Sequence, residues 1–302
     1  MAESQSAIYA ETGDFGLFLT LTVNDGAHGP VRPLLASIPG LTQALAKRLG
    51  EPRLVSAVGI GAAAWAGLVG GALPPGLEPF AALADGPREV PSTPADLFLH
   101  IHSPRHDANF ILARQIMARL SAHVRVVEEV VGFRHLGGRD LTGFVDGTEN
   151  AKGDERAGVA LVPGGPFAGG SYVSIQRYVH DLSNWERLDV SEQEGIVGRT
   201  KEADEEMDDA VKPLTAHIAR VVIEENGAEL EILRHSLPYG STAEAGLYFV
   251  AYGASPAPFR KMLERMVLRD GDGHCDRLLE FSRAMTGAAF FTPSVEFLGG
   301  LT

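Results

Sequence analysis

Two hydrophobic periods alternate along the first half of this chain, and that alternation restricts the fold more than any other feature. Leu17 to Val23 (LFLTLTV) sets Leu17, Leu19 and Leu21 against Phe18, Thr20 and Thr22, the period of two that a strand presents to its two faces. Val31 to Leu49 changes to helical spacing through Leu34, Leu35, Ile38, Leu41, Leu45 and Leu49. Leu54 to Gly59 reads as a second strand, a Pro-rich loop from Pro74 to Pro94 follows, and Leu97 to His102 (LFLHIH) reads as a third. Asp107 to Ala122 is helical, with Phe110, Ile111, Ala113, Ile116, Met117 and Leu120 apolar, and Val124 to Val131 is a fourth strand. The order β-α-β-β-α-β is that of a ferredoxin-like unit.

The second half repeats the pattern less cleanly. Strands are expected at Tyr172 to Tyr178, Leu230 to His235, Leu247 to Tyr252 and Ala288 to Phe291. Helices are expected at Ala257 to Leu268 and Cys275 to Met285, with partial helix over Leu182 to Ile196 and a charged insertion at Lys201 to Lys212. LFLHIHS and LYFVAYG, each followed by a helix, hold equivalent places, which suggests a duplicated fold. Gly132 to Gly170 contains eleven glycines and marks the boundary. The expected architecture is α+β: two ferredoxin-like domains, 1–140 and 141–302, each with an antiparallel sheet and peripheral helices. At roughly 150 residues per domain, 302 residues agree with two.

Charge narrows the partners. Lys and Arg number 26 against 39 Asp and Glu, a net −13 that repels phosphate backbones and argues against nucleic acid. One cysteine, Cys275, cannot form an internal disulfide, as fits a reducing compartment. Glu3 and Glu11 stand where a secretion signal needs a basic and then an apolar stretch. The uncharged run Ser56 to Leu73 is broken by five glycines and reads as a strand and loop, not a bilayer span. A cytoplasmic protein without membrane association is expected.

Three segments carry groups with chemical uses. In Gly143-Phe144-Val145-Asp146-Gly147-Thr148-Glu149-Asn150, Asp146 between glycines is either a turn residue or a carboxylate on a backbone able to approach a flat ligand. His217, in Leu214-Thr215-Ala216-His217-Ile218-Ala219-Arg220, is either a packed core residue or an iron ligand. Arg234, in Leu233-Arg234-His235-Ser236-Leu237-Pro238-Tyr239-Gly240, either closes a strand as a surface cation or supplies a fixed positive charge. His100, His102 and His106 (HxHxxxH) form an incomplete metal pattern on a strand. The acidic run Glu202 to Asp209 reads as a solvated face.

The order of these motifs is more specific than any one of them. Asp146, a histidine 71 residues on and an arginine 17 residues beyond that resemble the dye-decolourising peroxidase family. GFVDGTEN, AHIAR and LRHSLPYG are similar to its motifs in the cytoplasmic bacterial branch called class B, as are Val197-Gly198-Arg199-Thr200-Lys201 and Asp276-Arg277-Leu278-Leu279-Glu280-Phe281-Ser282 with Thr286-Gly287. The resemblance spans nearly the whole chain. It implies haem b (iron protoporphyrin IX), with His217 as the proximal iron ligand and Asp146 and Arg234 on the distal face. Gly147, Thr148, Gln176 and Ser236 would contact the cofactor. Ser236 holds a position where many class B relatives carry Asn. Asp276 would support the second nitrogen of His217, with a helix N-terminal charge as the plain alternative. Arg199 would pair with a haem propionate. The segment Gln176-Arg177-Tyr178-Val179-His180-Asp181 would line the haem pocket.

The implied activity is a peroxidase that reduces hydrogen peroxide and oxidises small organic donors such as dyes and phenols through a ferryl intermediate. Trp185, Tyr239, Tyr248 and Tyr252 are candidate surface aromatics for relaying electrons, with packing as their ordinary role. The alternative functions are a haem carrier or store with incidental peroxidase activity, and a haem-free ferredoxin-like sensor. Family habit suggests a homo-oligomer. The ending Phe297-Leu298-Gly299-Gly300-Leu301-Thr302 carries no recognisable encapsulin-targeting tail, so packaging is not expected.

Overall fold

The computed structural model describes residues 2–301. In the first half, strand β1 (Phe15–Val23), helix α1 (His28–Leu49), β2 (Val55–Gly61), β3 (Leu97–Ser103), helix α2 (His106–Leu120) and β4 (Val124–Phe133) follow one another. Their strands lie side by side as β4-β1-β3-β2, all antiparallel. In the second half come β5 (Ser171–His180), helix α3 (His217–Val221), β6 (Leu237–Gly240), β7 (Ala245–Gly253), helix α4 (Ala257–Val267) and β8 (Ala288–Thr292). These strands lie as β8-β5-β7-β6, also antiparallel. Within each half the order is fourth, first, third, second. The duplication is therefore visible in topology.

The two sheets close on each other. β2 meets β8 through Phe290–Gly61 and Phe291–Ile60, and β4 meets β6 through Gly132–Tyr239. Eight strands thus form one continuous ring. Gly132 is required at its thinner seam, because a Cβ there would stand 2.7 Å from Leu237 Cβ.

The period of two read in the sequence sorts side chains to the two faces of this ring. Leu17, Leu19 and Leu21 of β1 and Leu97, Leu99 and Ile101 of β3 face outward into a core shared with Val31, Leu35, Ile38 and Leu45 of α1 and Leu112 and Ile116 of α2. Burial of each such side chain is worth about 1.5–3 kcal/mol. Gly50, at φ 62°, ends α1 and returns its N–H to the carbonyls of Ala46 and Lys47. The inward face carries Phe18, Phe98, Val130, Ile175, Tyr248, Tyr252 and Phe290. Phe18 stacks on Tyr248 with ring centroids 4.4 Å apart. Among the described residues no helix is long and apolar enough to cross a membrane.

Four expectations need correction. Cys275 to Met285 is not a helix: one 3₁₀ turn (Arg277–Glu280) is followed by a short strand (Ser282–Ala284) that pairs with β5. Asp276 caps that turn by accepting from Leu278 N at 2.9 Å, and pairing with the sheet edge replaces further helix. The strand expected over Leu230 to His235 shrinks to Leu233–Arg234, while Leu237–Gly240 forms β6. Pro238 is tolerated because β6 runs along the thin seam. The Pro74 to Pro94 loop contains a hairpin, Leu83–Asp85 with Arg88–Val90. Trp185, Tyr239, Tyr248 and Tyr252 are not surface residues: all four are buried.

Candidate active site

The glycine-rich loop is folded around its charged groups. Arg139 donates to the carbonyls of Gly143 (2.8 Å), Lys201 (2.6 Å) and Glu202 (3.1 Å), and the Asp146 N–H donates to Gly138 O at 3.0 Å. Asp140 accepts from Thr142 N and Thr142 Oγ1 and lies 3.1 Å from His180 Nε2, whose Nδ1 meets Ser282 Oγ at 2.8 Å. Gly147 takes φ 81°, which favours glycine, directly after Asp146.

Asn150 joins this loop to the strand end bearing Arg234. Its Nδ2 donates to Arg234 O at 2.8 Å, and Arg234 N donates to its Oδ1 at 2.9 Å. The guanidinium of Arg234 then stands 3.6 Å from Asp146 Oδ1, with both side chains a little over one-fifth exposed. That separation is an ion pair without a direct hydrogen bond. Burial pushes the Asp146 carboxyl above the usual carboxylate range, against the pull of Arg234; the nearby Asp140 charge adds to the rise.

His217 opens the short helix α3. Its Nδ1 lies 2.6 Å from Oδ2 of Asp276, a fully buried carboxylate. A carboxylate only accepts, so Nδ1 is the donor of this pair and Nε2 is the ring nitrogen whose lone pair an electrophile would meet. Nε2 has no hydrogen-bond partner among the described residues.

These groups face one cavity on the outer side of β5 and β7. Asp146, His217 and Arg234 line it, with Thr148, Gln176 and Arg199. Apolar side chains of Val222, Phe249, Phe259, Leu263 and Met266 make up much of the rest. Gln176 is tied to Ser174 at 2.8 Å, and Thr148 donates to Asp204 at 2.6 Å. Arg199 is occupied by Asp204 (2.9 Å) and Glu149 (2.7 Å). Gly147 and Ser236 line an adjoining cavity instead, and Asp276 sits behind His217. His100 and His102 lie inside the ring: His100 contacts Tyr252 Oη at 3.0 Å and His102 accepts from Gly13 N at 3.2 Å. His106 starts α2 beside Phe15.

Both halves of the chain match one known family. Residues 5–134 match the model of the Dyp-type peroxidase N-terminal region, and residues 137–297 match that of the C-terminal region. The chain belongs to the Dyp-type peroxidase family. It is 44% identical over 288 residues to the dye-decolorizing peroxidase of Mycolicibacterium paratuberculosis, covering 93% of this chain and 81% of that one. It is 41% identical to the enzyme of the same name from Mycobacterium tuberculosis, covering 98% and 90%. Among solved structures, a Dyp-type peroxidase protein from Shewanella oneidensis superposes with a TM-score of 0.96 at 42% identity, over 99% of both chains. A DypB variant from Rhodococcus jostii in complex with heme gives 0.94 at 39% identity over the whole of both chains. The encapsulated peroxidase from Mycobacterium smegmatis gives 0.95 at 39%, covering 99% of this chain and 98% of that one.

Asn150 and the Asp140–His180–Ser282 chain were not assigned roles from sequence. Asn150 lies within GFVDGTEN, but no spacing reveals that its partner is the backbone of Arg234. His180 falls in the segment expected to line the pocket, at the alternating positions Gln176, Tyr178 and His180 that do so.

Proposed function

We propose that this family member is a haem b peroxidase, reducing hydrogen peroxide and oxidising small organic donors such as dyes and phenols. The observation that carries the reading is the shared cavity of His217, Asp146 and Arg234, with the His217 lone pair directed by Asp276. The apolar walls and the unpartnered Nε2 suit a flat, largely apolar macrocycle whose iron His217 would hold. When bound, haem supplies an iron and a conjugated ring that take oxidising power from peroxide and release it one electron at a time.

The remaining work falls to the chain's own groups. His217 Nε2 would hold the iron, and Asp276, bonded to the other ring nitrogen, would raise its basicity. Asp146 accepts a proton from the inner peroxide oxygen and returns it to the outer one, catalysis worth about 10²–10⁴-fold. Arg234 cannot act as a base; its charge holds peroxide and offsets developing negative charge. Thr148 and Gln176 would border the cofactor space, while Gly147 and Ser236 lie on the adjoining cavity. Arg199 would meet a haem carboxylate in place of Glu149, whose side chain is 57% exposed. A carrier has no use for a half-buried acid paired with a guanidinium, which favours the enzyme over haem transport.

The test is one equivalent of peroxide added to haem-loaded protein, followed through the Soret band. Rapid change in the native protein, slowed in Asp146→Asn and Arg234→Leu, supports the reading; slow change insensitive to both overturns it. We place the division between halves at residues 140 and 141, near the junction of the two family models, and propose a cytoplasmic homo-oligomer, which sedimentation of the purified protein checks.

A further inference from the structure

Asp146, Asn150 and Arg234 line two cavities and form the wall between them. The second cavity is of a different kind. Its cations are Arg134, Arg139, Lys152, Arg156 and Arg234, against Glu11 and Asp146 as its carboxylates. In a chain of net charge −13, that balance is reversed locally.

Arg134, Arg156 and Arg234 each have one carboxylate at 3.6–4.0 Å, too far for a direct hydrogen bond, and the other two cations have none among the described residues. Arg139 is held by three carbonyls and has no carboxylate within 4.0 Å among the described residues. Arg156 donates to the carbonyls of Tyr9, Ala10 and Ala151, and its acidic neighbour Glu11 is 78% exposed at 3.6 Å. Lys152 is exposed and without an ion-pair partner among the described residues. A carbonyl fixes a guanidinium in place but does not cancel its charge, so the field in this concave space stays positive. On the same wall the Oγ of Ser236 is buried with no hydrogen-bond partner among the described residues. Such a hydroxyl is a donor awaiting an acceptor. Hydrogen peroxide is neutral and gains little from this field; an anion gains much.

We propose that the second cavity binds small monovalent oxyanions, held by Lys152 and the Arg234 guanidinium and accepting a hydrogen bond from Ser236. An anion seated there competes with Asp146 for Arg234, so the site modulates the reaction proposed above from behind its wall.

Calorimetric titration of the haem-loaded protein in chloride-free, low-salt buffer tests this, with sodium nitrate as a planar anion that binds iron weakly and urea as its neutral counterpart. The expected result is saturable nitrate binding with an unmoved Soret band, no binding of urea, and affinity about threefold to tenfold lower in Lys152→Gln. Ser236→Ala, which removes the donor without a charge change, is expected to weaken binding as well. Heat no greater for nitrate than for urea overturns the proposal. So does a Soret shift, which places the anion on iron, or an affinity unchanged in both variants. The readout is binding, so its failure is distinct from loss of peroxidase activity.

Discussion

His217 and Asp276 are 59 residues apart in sequence and 2.6 Å apart in space, Nδ1 to Oδ2. The other carboxylate oxygen accepts from Leu278 N, so Asp276 orients an imidazole and caps a 3₁₀ turn at once. Asp276→Asn keeps an oxygen for the cap and removes the charge. In haem-loaded protein the iron reduction potential is expected to rise and the reaction with peroxide to slow by about 10- to 100-fold. Potentiometric titration and stopped-flow absorbance measure the two effects, and an unchanged potential reduces Asp276 to a cap.

Asp146 carries a second, pH-dependent expectation. Its carboxyl is raised in the folded protein, chiefly by burial. The native state therefore holds that proton more tightly than the unfolded chain. Ionised Asp146 costs stability above the ordinary carboxyl range, and the cost vanishes as pH falls below about 4. Asp146→Asn should thus raise the denaturation midpoint at pH 7 and lose that advantage in acid. The base must also be ionised to act, so kcat/KM for peroxide falls on the acid side. Arg234→Leu removes the lowering influence and shifts that limb to higher pH, visible in the pH–rate profile.

Asn150 holds the backbone of Arg234 from both sides through reciprocal bonds of 2.8 and 2.9 Å. Asn150→Ala loses both and leaves a strand-end donor and acceptor facing the cavity wall. Loss of about 1–3 kcal/mol of stability is expected, together with slower peroxide reaction and an unaltered KM for organic donors. Asn150→Asp retains an acceptor for Arg234 N and should recover part of the stability in urea denaturation.

The first half of the fold was legible because its strands and helices alternate between two clean periods: Leu17, Leu19 and Leu21 already named the outward face of β1. The second half resisted where local pattern and tertiary contact disagreed. Leu278 and Leu279 look helical, yet the segment ends after one turn because Ser282 pairs with His180 on β5. Pro238 looks like a turn, yet its strand borders a seam with one paired residue on the β4 side. Closure of the ring depends on contacts between residues 132 and 239 and between 61 and 290, which no periodicity encodes. The three charged or basic residues of the site were legible as motifs in order; Asn150 was not, since its partner is a backbone.

One tie between the halves yields the last expectation. Arg177 of β5 meets Glu128 of β4 at 2.6 Å, with side chains 17% and 14% exposed, and also bonds Tyr239 Oη at 2.8 Å. It reaches Glu244 at 2.8 Å as well, but that partner is half exposed and screened. Arg177→Met leaves Glu128 confined with only Thr286 Oγ1, at 3.4 Å, as a side-chain donor. Removing one member of a partly buried pair strands the other charge and costs about 1–3 kcal/mol, whereas replacing both by apolar groups of similar volume is often close to neutral. Arg177→Met should therefore lower the urea midpoint sharply. Adding Glu128→Leu should recover much of that loss, because the stranded charge is gone. If the double variant is no more stable than the single one, the hydrogen bonds from Arg177 to Tyr239 and Glu244, and not relief of the Glu128 charge, hold this seam.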